Sequence, residues 1–386
     1  MKNYHSFFIF ATIIVVLLAS LGLSLSKFSV AKKVGYQFTI KTALESDGIT
    51  SNGFVILYPD EIKYLSWLVY REDSFRTFIE GEGDLTVNVF GYLVSGLYLL
   101  FNFNWQYVFI IGIVGYIFLF ISFNNLLLTL GFKKKTVTIA VAIISLSPTV
   151  INLSSGFMRD LYVIAFLNLS VIALIKKRHL LFLLATFFVM LLRSYMPVVL
   201  FPFYVYIYFD KSSIFKRQLF VFVSFLISLF IVSIALIKQG RYYNTSINDI
   251  LYRFISGILG LNVVVLRLHE IFDQPGVFMI EKLSHIYQFA VMCVLYFIIL
   301  RSRFRLHSFY IPFLYATVLL SILYGVYLGY FVARTKLVLL WFAIIYIAFH
   351  LEKVTQKKAY RKKKTIYKHS GRYNQQLEGK SLELGV

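Results

Sequence analysis

"TVNVFGYLVSGLYLLFNF" occupies residues 86–103, and whether it crosses a membrane decides the topology of everything that follows it. It is long enough to span, yet Gly91, Ser95 and Gly96 interrupt it and its ends are polar. Charge decides between the readings. Basic clusters flank the later apolar stretches: Lys133-Lys134-Lys135, "KKRH" (176–179), "KSSIFKRQ" (211–218), "RSRFR" (301–305) and "KKAYRKKK" (357–364). Lys and Arg concentrate in cytoplasmic loops. A crossing at 86–103 would put Lys133–Lys135 outside and reverse every later loop. A re-entrant or interfacial segment, packed on protein, leaves all five clusters on the cytoplasmic side. The charge pattern favours the second reading.

The composition places the chain in a membrane. Its 386 residues are 59% hydrophobic, 18% aromatic and only 15% charged, with mean hydropathy +0.74. A soluble domain of this length cannot hide so much apolar surface. The 40 Phe and 28 Tyr suit lipid-facing helices and interfacial belts. A net charge of +21 would suggest nucleic acid in a soluble protein. Here the basic residues sit between apolar spans and in the tail, so no nucleic-acid partner is expected. Cys293 is the single cysteine, so no intrachain disulfide forms.

Apolar spans fall near 6–26, 106–131, 136–152, 159–175, 218–238, 283–300, 308–327 and 336–351, with a broken pair between 179 and 209. The expected fold is an all-α polytopic membrane protein of about ten transmembrane helices, both termini cytoplasmic. Juxtamembrane amphipathic and re-entrant helices are expected in a long first outer loop, 27–105. Residues 1–352 form the polytopic unit, with a later outer loop at 239–282, and 353–386 form a basic cytoplasmic tail. The N-terminal span is expected to remain as an anchor, because its apolar run is longer than a signal peptide's. The tail carries ten Lys/Arg from Lys353 to Lys380 against Glu378. It suits either an anionic lipid surface or solvent.

In "YPDEIKYLSWLVYRE" (58–72), Pro59 is suited to a first helical position and Asp60 then falls in the first turn. Tyr58, Ile62, Leu65 and Val69 make an apolar stripe; Asp60, Tyr64, Trp67 and Arg71 make a second one. The object expected is an amphipathic helix on the outer surface, presenting a carboxylate beside aromatic platforms on which sugars stack. Glu61 points elsewhere on the helix and is the second choice. The plainer reading is that both acids complement the helix dipole, worth about 0.3–1 kcal/mol.

Cations are expected at other outer span ends: Arg159 in "SSGFMRD", Arg193 in "RSYMP", Arg241 in "GRYYN", and Arg334 with Lys336 in "ARTK". Each arginine can instead simply snorkel to the interface. Arg193 stands out because Pro197 and short flanking spans suggest a broken helix lining a cavity. Arg159 and Asp160 can form a self-satisfied pair at the start of a span. Asp84, in "EGEGDLT", leads into the re-entrant segment, or forms an acidic turn. No motif of metal-ligand spacing occurs; His269, Glu270 and Asp273 match no strong zinc or calcium pattern.

A first span, a large outer loop with "DEIKY" on a juxtamembrane helix, a re-entrant segment and then "NWQYVFIIGIVGYIFLF" (104–120) together resemble the GT-C-type glycosyltransferases over roughly residues 1–175. "GEGDLTVNVFGY" (81–92) departs from the proline-rich or histidine-proline segment common in that family. "SSGFMRD" and "ARTK" are similar to outer-loop arginine motifs of bacterial O-antigen polymerases. The resemblance implies an enzyme of the bacterial inner membrane acting at its outer face. It would transfer sugar from a polyprenyl-phosphate-linked donor to a glycan or lipid-linked acceptor, in O-antigen, capsule or lipopolysaccharide synthesis. Some members need a divalent cation and others do not; no obligatory metal is expected here.

Such chemistry needs a carboxylate to take the proton of the attacking hydroxyl, and guanidinium groups to hold the departing phosphate. Asp60, or Glu61, is the expected base. Arg159, Asp160, Arg193, Arg241, Arg334, Lys336, Tyr64, Trp67 and Asp84 are the expected binding residues. A repeat-unit polymerase is the neighbouring alternative. A flippase or transporter is the alternative of another class, but it predicts charges inside spans, and these apolar cores are nearly charge-free.

Overall fold

The computed structural model describes residues 3–33, 90, 91, 94, 100, 110–156, 158–209, 212–238, 248, 277–301, 310–327 and 337–353. All regular secondary structure among them is α-helical. The helices are α1 (Asn3–Lys33), α2 (Ile110–Thr129), α3 (Lys134–Ser145), α4 (Pro148–Ser154), α5 (Asp160–Ile175), α6 (His179–Leu192), α7 (Met196–Tyr208), α8 (Ile214–Lys238), α9 (Val277–Arg301) and α10 (Tyr310–Tyr327). A further helix, α11, covers 337–353.

Four of these are long and apolar enough to cross a membrane: α1, α2, α8 and α9. The pair α3–α4 makes a fifth if counted as one bent span. α5, α6 and α7 are shorter apolar helices. Large apolar side chains stand exposed along α1, α6 and α8, among them Phe7, Leu180, Phe215 and Phe230. Water would not tolerate patches of that size, whereas hydrocarbon does. The chain is a membrane protein.

Two boundaries differ from the sequence reading. The stretch 136–152, expected as one span, is two helices meeting at 66°. Ser147 there is extended (φ −61°, ψ 127°) and Pro148 opens α4. Proline disfavours helical geometry in the residue before it and has no N–H to continue the ladder, so the chain turns. α1 continues to Lys33 and α9 begins at Val277, so helix rather than loop occupies 27–33 and 277–282. The rest of the two expected outer loops, apart from Phe90, Gly91, Val94, Leu100 and the helical Asn248, lies outside the described residues, as does the tail beyond 353.

Phe90 and Val94 are helical and buried, and the Phe90 ring lies 5.9 Å from that of Tyr162. Part of 86–103 is thus packed on protein.

α2 packs on α5, α5 on α6, α7 on α8 and α10, and α1 on α3 and α4. α11 is the core element: "LVLLWFAIIYIA" (337–348) is apolar on every side and buried throughout. The Trp341 indole donates to Asn168 Oδ1 at 2.7 Å, and Asn168 Nδ2 donates to Ser122 Oγ at 3.0 Å. Three helices are thereby joined through buried polar atoms. Trp341 and Phe342 also meet the Phe203 ring edge-on, at 5.6 and 5.0 Å.

Three contacts at the C-terminal end of α11 tie it to the start of α3 and the Lys133–Lys135 cluster. Glu352 Oε2 accepts from the Lys133 backbone N–H (3.2 Å) and the Thr136 hydroxyl (2.9 Å), and Lys133 Nζ lies 3.5 Å from Oε1. Glu352 therefore caps the start of α3 from another helix. Burial raises its carboxyl pKa, but the Lys133 and Thr136 hydrogen bonds and the Lys133 charge outweigh that and hold it below the usual range.

α2 and α5 end alike. Gly131 (φ 83°) and Lys177 (φ 56°) both take the left-handed conformation, and each chain closes with the paired backbone bonds of a Schellman turn. Phe132 N bonds Leu127 O and Gly131 N bonds Leu128 O; Arg178 N bonds Ala173 O and Lys177 N bonds Leu174 O. Glycine does this without strain, whereas a lysine there costs about 1–2 kcal/mol.

Candidate functional site

At the end of the bundle opposite those lysines, the α4–α5 turn ("SSGFMRD") meets the α6–α7 break ("RSYMP"). Asp160 lies in the first turn of α5, where the helix dipole favours a carboxylate. Arg193 is extended (φ −151°, ψ 95°) and ends α6. Pro197 sits in the first turn of α7, where its missing N–H costs nothing, so the chain restarts as a helix three residues on.

Arg193 Nη2 donates to Asp160 Oδ1 in a close ion pair, and Nη1 donates to the Tyr195 hydroxyl at 2.6 Å. The guanidinium also lies 5.9 Å from the centroid of the Tyr195 ring. Arg159, Asp160 and Arg193 are 8%, 5% and 7% exposed. At 1.5 Å per residue α5 and α6 are about 24 and 21 Å long, short of the ~30 Å hydrocarbon core. Charges at their ends must therefore be matched within the protein. The Asp160 carboxylate bonds the Arg193 guanidinium, and Arg159, also buried, precedes it in the chain. Asp160 Oδ2 accepts no hydrogen bond among the described residues.

The turn carrying Arg159 and Asp160 is held from three sides. Ser20 Oγ lies 2.5 Å from Ser154 Oγ, and Ser24 Oγ donates to Ser155 O at 2.8 Å, so α1 grips it. α2 approaches so closely that a Cβ on Gly112 would fall 2.5 Å from Ser154 O and closer still to Gly156 O. Tyr162 lies over Gly115 and donates to Ile111 O at 2.7 Å. The Phe90 ring, from the 86–103 segment, packs on that same Tyr162.

Of the residues expected to act, Asp160 and Arg193 are brought together, and Arg159 is buried at the position before Asp160. Asp160 takes its charge partner from Arg193, across two helices, rather than from its neighbour Arg159 alone. Asp60, Glu61, Tyr64, Trp67, Asp84, Arg241, Arg334 and Lys336 lie outside the described residues. So do His269, Glu270 and Asp273; among the described residues no three His, Cys, Asp or Glu side chains gather as a metal site would need. Tyr195, Gly112, Ser20 and Ser24 were not anticipated. Tyr195 lay in a recognised break and was readable as a partner for Arg193. Nothing local marks the serines or Gly112.

Two buried arginines, one at the α4–α5 turn and one at the α6–α7 break, suit an anion with several oxygens, such as a phosphate. Comparison with known protein families, with characterised proteins and with solved structures finds no match to this chain.

Proposed function

We propose that this protein is a multi-pass glycosyltransferase of the bacterial inner membrane that takes sugar from a polyprenyl-phosphate-linked donor and builds cell-surface polysaccharide. The observation that carries the reading is the pairing of Asp160 with Arg193, which gathers Arg159 and Arg193 at the end remote from Lys133 and Glu352. In this reading 86–103 does not cross, about ten helices do, both termini are cytoplasmic, and the guanidinium site faces outward.

Asp60 takes the proton of the acceptor hydroxyl, with Glu61 the alternative base. The hydroxyl oxygen attacks the anomeric carbon from the side opposite the leaving group and inverts it. The bond between that carbon and the phosphate oxygen breaks, and the lipid phosphate leaves with the electron pair. Arg159 and Arg193, joined by Arg241, Arg334 and Lys336, hold that phosphate. Tyr64 and Trp67 stack on sugar, and Asp84 binds a hydroxyl. Removing one such charge-stabilising donor from a working site costs about 10²–10³-fold in rate.

A second reading, a repeat-unit polymerase joining two lipid-linked glycans, is favoured by one observation. One of the two described cations, Arg159, comes from "SSGFMRD", the stretch similar to polymerase arginine motifs. A chromosomal deletion separates the two: loss of one sugar branch marks the transferase, and single units without long chains mark the polymerase. Complementation with Asp60→Asn should then fail although the variant inserts in the membrane normally. Full complementation would remove Asp60 from the mechanism, and an unchanged glycan profile in the deletion strain would refute both readings.

A further inference from the structure

The lysine-rich end encloses a cavity of ≈ 680 Å³ between the ends of α2, α5 and α7 and the side of α11. That volume is in the range of sites that hold a ligand of some tens of heavy atoms. Val171, Leu174, Phe203 and Phe349 form apolar walls, and Lys177 and His179, both exposed, also line it, as does Thr129. Tyr206 also lines it and carries the Arg217 guanidinium 4.5 Å above its ring.

Lys177 is the informative residue. It occupies the left-handed position of the α5 Schellman turn, where α2 uses Gly131 in the same turn. A glycine would serve the backbone better, so the side chain, not the turn, accounts for lysine here. Helix dipoles are an insufficient reason. The C-termini of α2, α5 and α7 bring about half a negative charge each. Against them stand Lys133–Lys135, Lys176–Arg178, Lys216 and Arg217, and Glu352, the one described carboxylate at this end, is already engaged.

We infer that this cavity binds one anionic phospholipid of the adjoining leaflet, its phosphate at Lys177 and His179 and its hydrocarbon against Leu174 and Phe203. Basic pockets between membrane helices take lipid headgroups in this way. A soluble phosphate would leave the aromatic walls bare. The chain's own tail, with ten Lys/Arg from Lys353 to Lys380, has the wrong charge. The site is independent of the proposed catalytic reading and lies at the other end of the bundle.

The test follows thermal unfolding of the purified chain in a neutral detergent while dioleoyl phosphatidylglycerol, dioleoyl phosphatidylcholine or inorganic phosphate is titrated. Phosphatidylglycerol should raise the melting temperature, and the other two should not. Lys177→Gly relieves the strained turn, so its lipid-free melting temperature should equal or exceed the parent's, while phosphatidylglycerol binds about fivefold more weakly. Lys177→Arg should retain the response. Thr129→Trp puts an indole into the cavity without touching a charge and should weaken the response. An unchanged response in Lys177→Gly or Thr129→Trp would overturn the inference. Equal shifts with phosphatidylcholine would reduce it to unspecific lipid contact, and shifts with phosphate alone would replace it with a soluble-anion site.

Discussion

Replacing Asp160 by Asn separates two roles of its ion pair. The carboxylate is 5% exposed and bonded to Arg193, itself 7% exposed. Asparagine keeps the shape but removes the charge that the buried Arg193 guanidinium bonds. Removing one partner of a buried pair costs about 3–5 kcal/mol, because the other charge is left uncompensated. Loss of Asp160's favourable place at the α5 N-terminus adds only about 0.3–1 kcal/mol. The ion pair therefore dominates. Arg193→Met alone should cost a similar amount, while the double replacement should recover most of it, since a buried pair can often give way to uncharged groups at little net cost. Unfolding in graded SDS in mixed micelles reads these stabilities, and release of lipid phosphate from undecaprenyl-phosphate-linked sugars reads activity. The expected outcome is a double variant that is folded and stable yet inactive. If both single variants lose under about 1 kcal/mol, the pair is solvent-screened like a surface one and the burial argument fails. If the stable double variant retains full activity, Arg193 holds no phosphate.

Three other perturbations follow from the packing. Gly112→Ala drives a Cβ into the Ser154 and Gly156 carbonyls and should cost about 1–3 kcal/mol by overpacking, while Gly22→Ala, with nothing within 4 Å, should be neutral or stabilising by up to about 1 kcal/mol; melting of both variants in one detergent decides. Asn168→Leu cuts both bonds joining Ser122 and Trp341 and should cost about 1 kcal/mol, given about 0.6 kcal/mol per interhelical bond in membranes, with a blue-shifted Trp341 emission as the spectroscopic sign. Glu352 has a lowered pKa, so its contribution is complete above the ordinary value of 4.5 and lost as pH falls through the depressed one. Lys133 is 55% exposed, which limits that contribution to about 1 kcal/mol. Melting curves of Glu352→Gln should lack the parent's decline in that acidic window.

How much of the site was legible can be seen at "RSYMP". Proline after a short apolar run signalled a break, and an arginine at a break signalled a polar lining. Its partner was beyond reach, since Asp160 lies thirty-three residues away and a local neighbour, Arg159, competed for it. At 136–152 hydropathy registered an unbroken apolar stretch and passed over the consequence of Pro148, because a transfer energy carries no information about direction.

The sequence by itself determined a helical membrane protein and the positions of its apolar stretches, because the cost of unbonded backbone in hydrocarbon is local and forces each stretch into helix. Its glycines, prolines and lysines likewise marked where helices stop. Which helix becomes the buried centre, which serine grips which turn, and which carboxylate answers Arg193 were decided only by tertiary packing. Those choices depend on distances between residues far apart in the chain, and α11 differs from α8 less in composition than in being surrounded by protein instead of lipid.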